Sequence, residues 1–429
     1  MNPALVRLAR RIWPTWADRN LAIILGARTA MSAARAIAGV VTALYLAAEG
    51  FSGLEIGALF LCVALASALM SSFIGLLSDR IGRRLLLVLV PLLAAVAAAV
   101  YAVNRTPAVL FVFAALGSFG RGAGAGGGTV GPYQPAESAF VGETVPAWAR
   151  ARAFGRMSFC SSLGALGGGL LAGLAHPGTG LDPAGVTAAY RPAFVATAVL
   201  SVGAGLAAIW LRPRDRTGLD RPPRPRRIAW PRRSWPALWR FWLTNGVNGL
   251  AIGMFGPFVS YWMHRRYGVS PGTIGALFAV VNLASLVSTL SAAGIARRIG
   301  TVRAIVIVRL LSGVLLIPLA LAPTFWMAGG IYVVRMLTQR VGLPLRQSYV
   351  QDLAHPDERA SLAALSTLPA QATQAGSQVL AGYLFDAVAL ALPFEVASVF
   401  QCVNGLLYGL LFGRYRPARP ASAGPDEAG

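Results

Sequence analysis

The sequence predicts an all-α polytopic membrane protein: twelve transmembrane helices in two six-helix, pseudo-symmetric halves. Three observations carry that prediction. Hydrophobic residues make up 56% of the 429 residues and charged residues only 13%, against roughly 25% charged in a soluble domain. Twelve apolar runs reach the ~20 residues that a helix needs to cross a bilayer. Short motifs recur at a fixed offset between the two halves of the chain. Mean hydropathy is +0.61. A chain this apolar cannot cover itself with polar side chains. That argues against a soluble globule and excludes a disordered chain, a disulfide scaffold or a collagen-like repeat.

The runs fall near residues 21–47, 54–77, 85–103, 108–131, 153–174, 192–211, 238–262, 272–293, 303–321, 325–343, 360–384 and 393–413. The first is too long for a cleaved signal peptide. It holds Arg28 and Arg35 and lacks a small-residue cleavage site. The net charge of +22 would suit a nucleic-acid binder, but every one of the 38 basic residues is Arg and their positions argue otherwise. Outside the spans, all except Arg105, Arg191, Arg265 and Arg266 lie on the side of the two termini. Basic loops stay in the cytoplasm, so both termini are expected there, in the cell (inner) membrane, with no nucleic-acid partner.

The longest polar interruption, 212–236, holds nine Arg and six Pro. Proline prevents a regular helix and extends the chain. The segment reads as a cytoplasmic linker between an N-terminal half, 1–211, and a C-terminal half, 237–429, that ends in a short tail. A polybasic segment beside a membrane also attracts anionic lipid.

The halves match internally. Ile-Gly-Ala-Leu-Phe occurs at 56–60 and again at 274–278, an offset of 218 that also carries Arg80-Ile81-Gly82 onto Arg298-Ile299-Gly300. Later the offset is 209, which carries Pro135, Glu143 and Arg150 onto Pro344, Asp352 and Arg359. Two six-span repeats in parallel are a transporter architecture with a substrate site at midplane between them.

Residues 75–84 read GLLSDRIGRR, between spans 2 and 3. Gly75, Asp79, Arg80, Gly82, Arg83 and Arg84 match the signature loop of the major facilitator superfamily, and the sequence resembles that family over almost its whole length. In the second half only Arg-Arg-Ile-Gly survives, with Arg297 where Asp79 would be. Arg121, ahead of a glycine run, is similar to the span-4 arginine motif of proton-coupled exporters. LGALGGGLL at 163–171 is similar to the antiporter motif, with Ala165 in place of its proline. The resemblance implies that the signature loop latches the halves on the cytoplasmic side. Asp79 would bond the N-terminal end of a neighbouring helix and Glu143 would pair with one of the arginines. It also implies that spans 1, 4, 7 and 10 line the central cavity, and that efflux and antiport are possible modes.

Charges in the bilayer core are costly and usually functional. By the boundaries above, no carboxylate falls in the middle of a span; Glu137 and Glu143 sit at or beyond the inner end of span 4. Arginines do fall inside. Arg28, Ser32, Arg35, Gly39 and Thr42 recur at helical spacing as one polar stripe. Arg35, Arg121 and Arg335 lie near mid-depth on cavity spans, whereas Arg28 and Arg309 lie closer to the cytoplasm, within reach of a snorkelling contact. Span 7 adds Asn245 and Asn248. The expected substrate site is therefore Arg35, Arg121, Arg335, Asn245 and Asn248. Three like charges with no core carboxylate favour a small organic anion. The alternative is a proton-coupled exporter of drugs or other hydrophobic compounds.

No cofactor is expected, since no nucleotide-binding motif, nucleophile set or metal cluster is visible; a membrane-embedded enzyme is the weaker alternative. Cys62, Cys160 and Cys402 form no framework, and His176, His264 and His355 lie in separate loops. The expected partners are a small-molecule substrate, with a coupling proton or counter-anion left open, and the lipid bilayer around a monomer.

Overall fold

The computed structural model describes residues 18–118, 132, 134–145, 149–176, 183–212, 231–353, 355, 358, 362 and 365–413. These residues are helical and hold no strand. Span 1 is α1 (Arg19–Ala48), started by Asp18, which accepts the Leu21 N–H at 2.9 Å. Span 2 is α2 (Gly53–Ile81) and span 3 is α3 (Arg83–Val103). Span 4 has two described pieces, α4 (Pro107–Gly117) and α5 (Gln134–Thr144). Span 5 is α6 (Arg150–Leu171) and span 6 is α7 (Pro183–Ile209). Span 7 is α8 (Trp235–Phe255) and α9 (Val259–Tyr267), with a 3-10 turn at Gly256–Phe258 where Pro257 removes an N–H. Span 8 is α10 (Pro271–Ile299). Span 9 is α11 (Thr301–Val314) with α12 (Leu316–Leu321). Spans 10, 11 and 12 are α13 (Phe325–Leu353), α14 (Leu368–Ala387) and α15 (Leu392–Phe412).

Seven helices among the described residues are long and apolar enough to cross a bilayer by themselves. Of the other spans, 7 is interrupted at Gly256–Phe258, and 10 and 11 carry polar side chains such as Arg335 and Gln378. Several helices outrun their apolar stretch, because a helix end in the aqueous layer no longer needs apolar side chains. Thus α2 reaches Ile81 and α13 reaches Leu353. In span 11 the helix α14 begins at Leu368, where Pro369 occupies the first turn.

Span 4 departs most from the sequence reading. A continuous helix over 108–131 is expected, but α4 stops at Gly117, with Ser118 in the left-handed region at φ 55°. The next described helix, α5, begins at Gln134. Arg121 lies outside the described residues.

The repeated Arg-Ile-Gly has a local cause. Gly82 and Gly300 close the turns after spans 2 and 8 with φ of 97° and 85°, a backbone that only glycine adopts without strain. Both are followed at once by the next helix.

Packing shows how the halves meet. One core of buried side chains draws on both halves at the end away from the termini, including Tyr45, Phe60 and Tyr190 from one and Phe258, Trp262 and Phe385 from the other. At the terminal end there are two cores. One belongs to the N-terminal half and includes Ile24, Leu87 and Phe140. The other belongs to the C-terminal half and includes Phe241, Ile305 and Phe412. Among the described residues the halves share a core at the far end and keep separate cores at the end of the termini.

The seams between the halves obey the sequence repeat. Span 2 meets span 11 at Gly57, where an added Cβ would lie 2.5 Å from the Gln378 carbonyl. Span 8 meets span 5 at Gly275, where it would lie 1.9 Å from the Gly169 carbonyl. The offset of 218 carries Gly57 onto Gly275, and the offset of 209 carries Gly169 onto Gln378. The repeated Ile-Gly-Ala-Leu-Phe thus marks a crossing point of backbones in each half.

Candidate functional site

The polar stripe of span 1 faces its own half. Arg28 donates from Nε to the Ser161 hydroxyl at 2.9 Å and from Nη1 to Glu137 Oε2. Ser32 shares Ser161, with the two hydroxyl oxygens 2.9 Å apart. Arg35 is half-buried and donates from Nη1 to the Ser118 carbonyl at 3.3 Å, at the break in span 4. The stripe therefore binds span 1 to spans 4 and 5.

Two expectations are corrected here. Glu137 is not at the inner margin of span 4: it sits one turn inside α5 and is 0% exposed. Arg28 does not snorkel; it is buried against that carboxylate. The sequence signal was present. Pro135 followed by Glu137 is a helix start, which the count of apolar residues through the glycines hides. Glu137 Oε1 has no hydrogen bond among the described residues.

The C-terminal half is built differently. Arg335 is 0% exposed; its Nε donates to the Ser312 carbonyl at 3.1 Å and its guanidinium lies 4.1 Å from the Phe255 ring centroid. Asn245 donates to the Ser366 carbonyl at 2.6 Å and accepts from Arg346 at 3.1 Å. Asn248, one turn along α8, accepts from Arg309 at 3.1 Å. Arg309 also bonds Asn404 and lies 5.3 Å from the Tyr408 ring centroid. It too is buried rather than snorkelling. Arg309 and Arg346 thus converge on the Asn245–Asn248 face of span 7, and neither was singled out as a site residue from the sequence.

The two halves differ in how their intramembrane arginines are compensated. Arg28 is neutralised by Glu137. Arg309, Arg335 and Arg346 have only neutral partners among the described residues. Arg309 and Arg335 are buried and Arg346 half-buried, and charges so placed are costly without a counter-charge. Of the five expected substrate residues, Arg335, Asn245 and Asn248 are bonded inside the C-terminal half and Arg35 inside the N-terminal half. Arg121 lies outside the described residues. No described bond joins Arg35 to Arg335 across the halves.

In the signature loop, Gly82 forms the left-handed turn and Arg84 donates to the carbonyl of Ile209 at the end of span 6. Arg83 is half-buried. The side chains of Asp79, Arg80 and Glu143, and the surroundings of Gly75, lie outside the described residues. No metal-binding group of His, Cys, Asp or Glu occurs among the described residues.

The sequence profile described as Major Facilitator Superfamily matches residues 24–247 and, a second time, residues 241–428. The chain belongs to the major facilitator superfamily. The profile matches the chain twice in succession, and the superfamily fold is visible in solved structures. A bacterial homologue of the human lysosomal transporter Spinster, in an inward-facing, occupied conformation, superposes with a TM-score of 0.73 at 16% identity, over 93% of this chain and 98% of that one. The nucleoside transporter NupG gives 0.70 at 13% identity, over 92% and 100%. A D-xylose–proton symporter gives 0.64 at 15%, over 91% and 96%. No curated protein matches the sequence. As a superfamily member the protein is an integral, multi-pass membrane transporter and not an enzyme. At these identities the structures share its fold and say nothing of its substrate.

Proposed function

We propose that this superfamily transporter carries a small organic anion by alternating access. The halves 1–211 and 237–429 would rock about the 212–236 linker, with both termini cytoplasmic. The loop arginines support that orientation, and the separate cores at the terminal end then make this an inward-facing state. The observation that supports the anion reading is the charge of the C-terminal half: Arg309 and Arg335 are buried and Arg346 half-buried, with only neutral partners among the described residues. An entering carboxylate or phosphate would supply the missing counter-charge, and Arg offers it a bidentate fork. Arg35, Arg121, Asn245 and Asn248 complete the proposed site, and the Asp79 loop with Glu143 the proposed cytoplasmic latch.

A specific observation favours proton coupling. Glu137 is a buried carboxylate on a cavity span with one oxygen unbonded among the described residues. Proton release there would leave Arg28 paired, and protonation would free it to move. This is the feature that an exporter of hydrophobic compounds would use.

Uptake by the purified protein in liposomes decides between the readings. A panel of organic anions, cations and neutral compounds is offered with and without a proton gradient. Anion transport that falls severalfold in Arg35→Lys and further in Arg335→Gln supports the proposal. Transport of cationic or neutral compounds alone, unchanged in both variants, overturns it in favour of the exporter.

A further inference from the structure

We propose that Asp386 is a latch that holds the two halves together at the end away from the termini, and that it sets the resting balance between the two faces of the transporter. Asp386 lies in the last turn of α14, in the C-terminal half. Its Oδ2 accepts the backbone N–H of Gly53, the first residue of α2, in the other half. Its Oδ1 is held from its own half, by Arg265 Nη1 at 3.0 Å and by the Tyr261 hydroxyl at 3.3 Å. Arg265 also bonds that hydroxyl. One oxygen is therefore anchored at home and the other crosses the seam.

The start of α2 is prepared for such a partner. The first N–H groups of a helix have no partner within it and carry partial positive charge. A capping box uses two local donors: Ser52 Oγ takes the Glu55 N–H, and the Glu55 carboxylate takes the Ser52 N–H. The Gly53 N–H is left for Asp386. The short aspartate side chain reaches it only because the backbones nearly touch. A Cβ on Gly53 would lie 2.7 Å from the Gly382 carbonyl, and one on Gly382 would lie 2.0 Å from the Gly53 carbonyl.

The repeat shows that this bond is an addition to the fold and not part of its symmetry. The offset of 218 carries Gly53 onto Pro271, which has no N–H to donate. The offset of 209 carries Pro177 onto Asp386, so the equivalent position has no charge. The seam between spans 5 and 8 is closed by glycines, Gly173 against Gly272 and Gly169 against Gly275. The seam between spans 2 and 11 has the same contact and a charge-assisted bond besides. A cavity of about 460 Å³, lined in part by Ala48, Phe51, Ser52 and His264, borders Arg265 and Asp386, so water is at hand to replace the bond when the seam parts.

The test does not depend on the substrate. Full-length protein with Cys62, Cys160 and Cys402 replaced is reconstituted in lipid nanodiscs. Spin labels go on Ala108→Cys and Trp326→Cys, exposed positions of spans 4 and 10 at the same end. Pulsed electron–electron distance measurements then give the ratio of long to short separations. Asp386→Asn keeps the shape and removes the charge, and should raise that ratio about tenfold, the weight of one hydrogen bond to a charged group. Asp386→Leu should raise it at least as much. Arg265→Gln, which touches only one half, should raise it less, and Glu55→Gln should leave it unchanged. A distribution for Asp386→Asn that superimposes on the parent overturns the latch. So does an Arg265→Gln effect equal to that of Asp386→Asn, because the carboxylate would then act within its own half.

Discussion

Arg28 and Glu137 form the one described ion pair between spans whose two side chains are both buried. Removing one member of such a pair strands the other charge in a poor solvent, at a cost of about 3–5 kcal/mol. Glu137→Gln should therefore lower the thermal midpoint of the detergent-solubilised protein clearly, and Arg28→Gln combined with Glu137→Gln should lower it less than Glu137→Gln alone. A Glu137→Gln midpoint equal to the parent's would mean that the carboxyl is already protonated, which would favour proton coupling. Glu358 acts in water at the terminal end. Its carboxylate accepts the N–H groups of Arg233 at 3.1 Å and Ser234 at 2.7 Å, just ahead of α8. Desolvation alone would raise its pKa, but these N–H groups, the Ser234 hydroxyl and the charge of His355 together hold it below the usual carboxylate value. A depressed carboxylate stabilises the fold above the ordinary value of about 4.3 and loses that contribution as the pH falls through the lower folded value. Protection of the amides at the start of α8, relative to their intrinsic exchange rates at each pH, should fall on acidification below about pH 4. In Glu358→Gln that step should be absent.

At the scale of the element, two helix joints and one helix face make testable demands. Gly82 and Gly300 hold positive φ where spans 2 and 3, and 8 and 9, join. Either one changed to Ala should cost about 1–2 kcal/mol from backbone strain alone, read as a lower thermal midpoint. The same change at Gly26, which has open space around it and an ordinary φ, should not. Span 5 uses glycines on two sides. Gly164 and Gly168 admit the carbonyls of Thr29 and Ala33 on span 1, each 2.2 Å from where a Cβ would be, while Gly169 and Gly173 face span 8. Gly168→Val should disrupt the N-terminal half itself and lower expression of folded protein, whereas Gly155→Ala, a site with no atom within 4 Å, should be tolerated. The glycine run that resembles an antiporter motif therefore has a packing role in both its own half and the seam.

At the scale of the molecule, the proposed orientation is checked by labelling. Arg232 in the linker and His176 beyond span 5 are both exposed, and each is replaced by Cys in a Cys-free background. A membrane-impermeant thiol reagent added to intact cells should modify His176→Cys, and Arg232→Cys only after the membrane is broken. Modification of both in intact cells would reverse the topology. The same geometry ties the ends of the antiparallel spans 2 and 11 together. Asp386 ends span 11 beside the start of span 2, and Asp79 ends span 2 on the side where span 11 starts. That start has no side-chain cap at Thr367.

The spans, their order, the two-fold repeat and the arginine asymmetry were all legible in the sequence, because a bilayer imposes its demand residue by residue along the chain. Apolar length, loop charge and the recurring glycine of Ile-Gly-Ala-Leu-Phe need no knowledge of partners. The stripe on span 1 was legible too, as a periodicity. What it touches was not. Arg28 meets Glu137 across 109 residues and Gly53 meets Asp386 across 333, and no local pattern links positions so far apart. Arg35 and Arg335 were visible as intramembrane charges, but which of them bonds a carbonyl, lies over a ring or lacks a counter-charge depends on the helices packed alongside. The end of α4 at Gly117 and the burial of Glu137 in α5 moved that carboxylate from a helix margin into a core, since apolar length alone cannot show where a helix stops. Tertiary structure decided the pairing of charges because the cost of burying each one depends on what stands a few ångströms away in space, not along the chain.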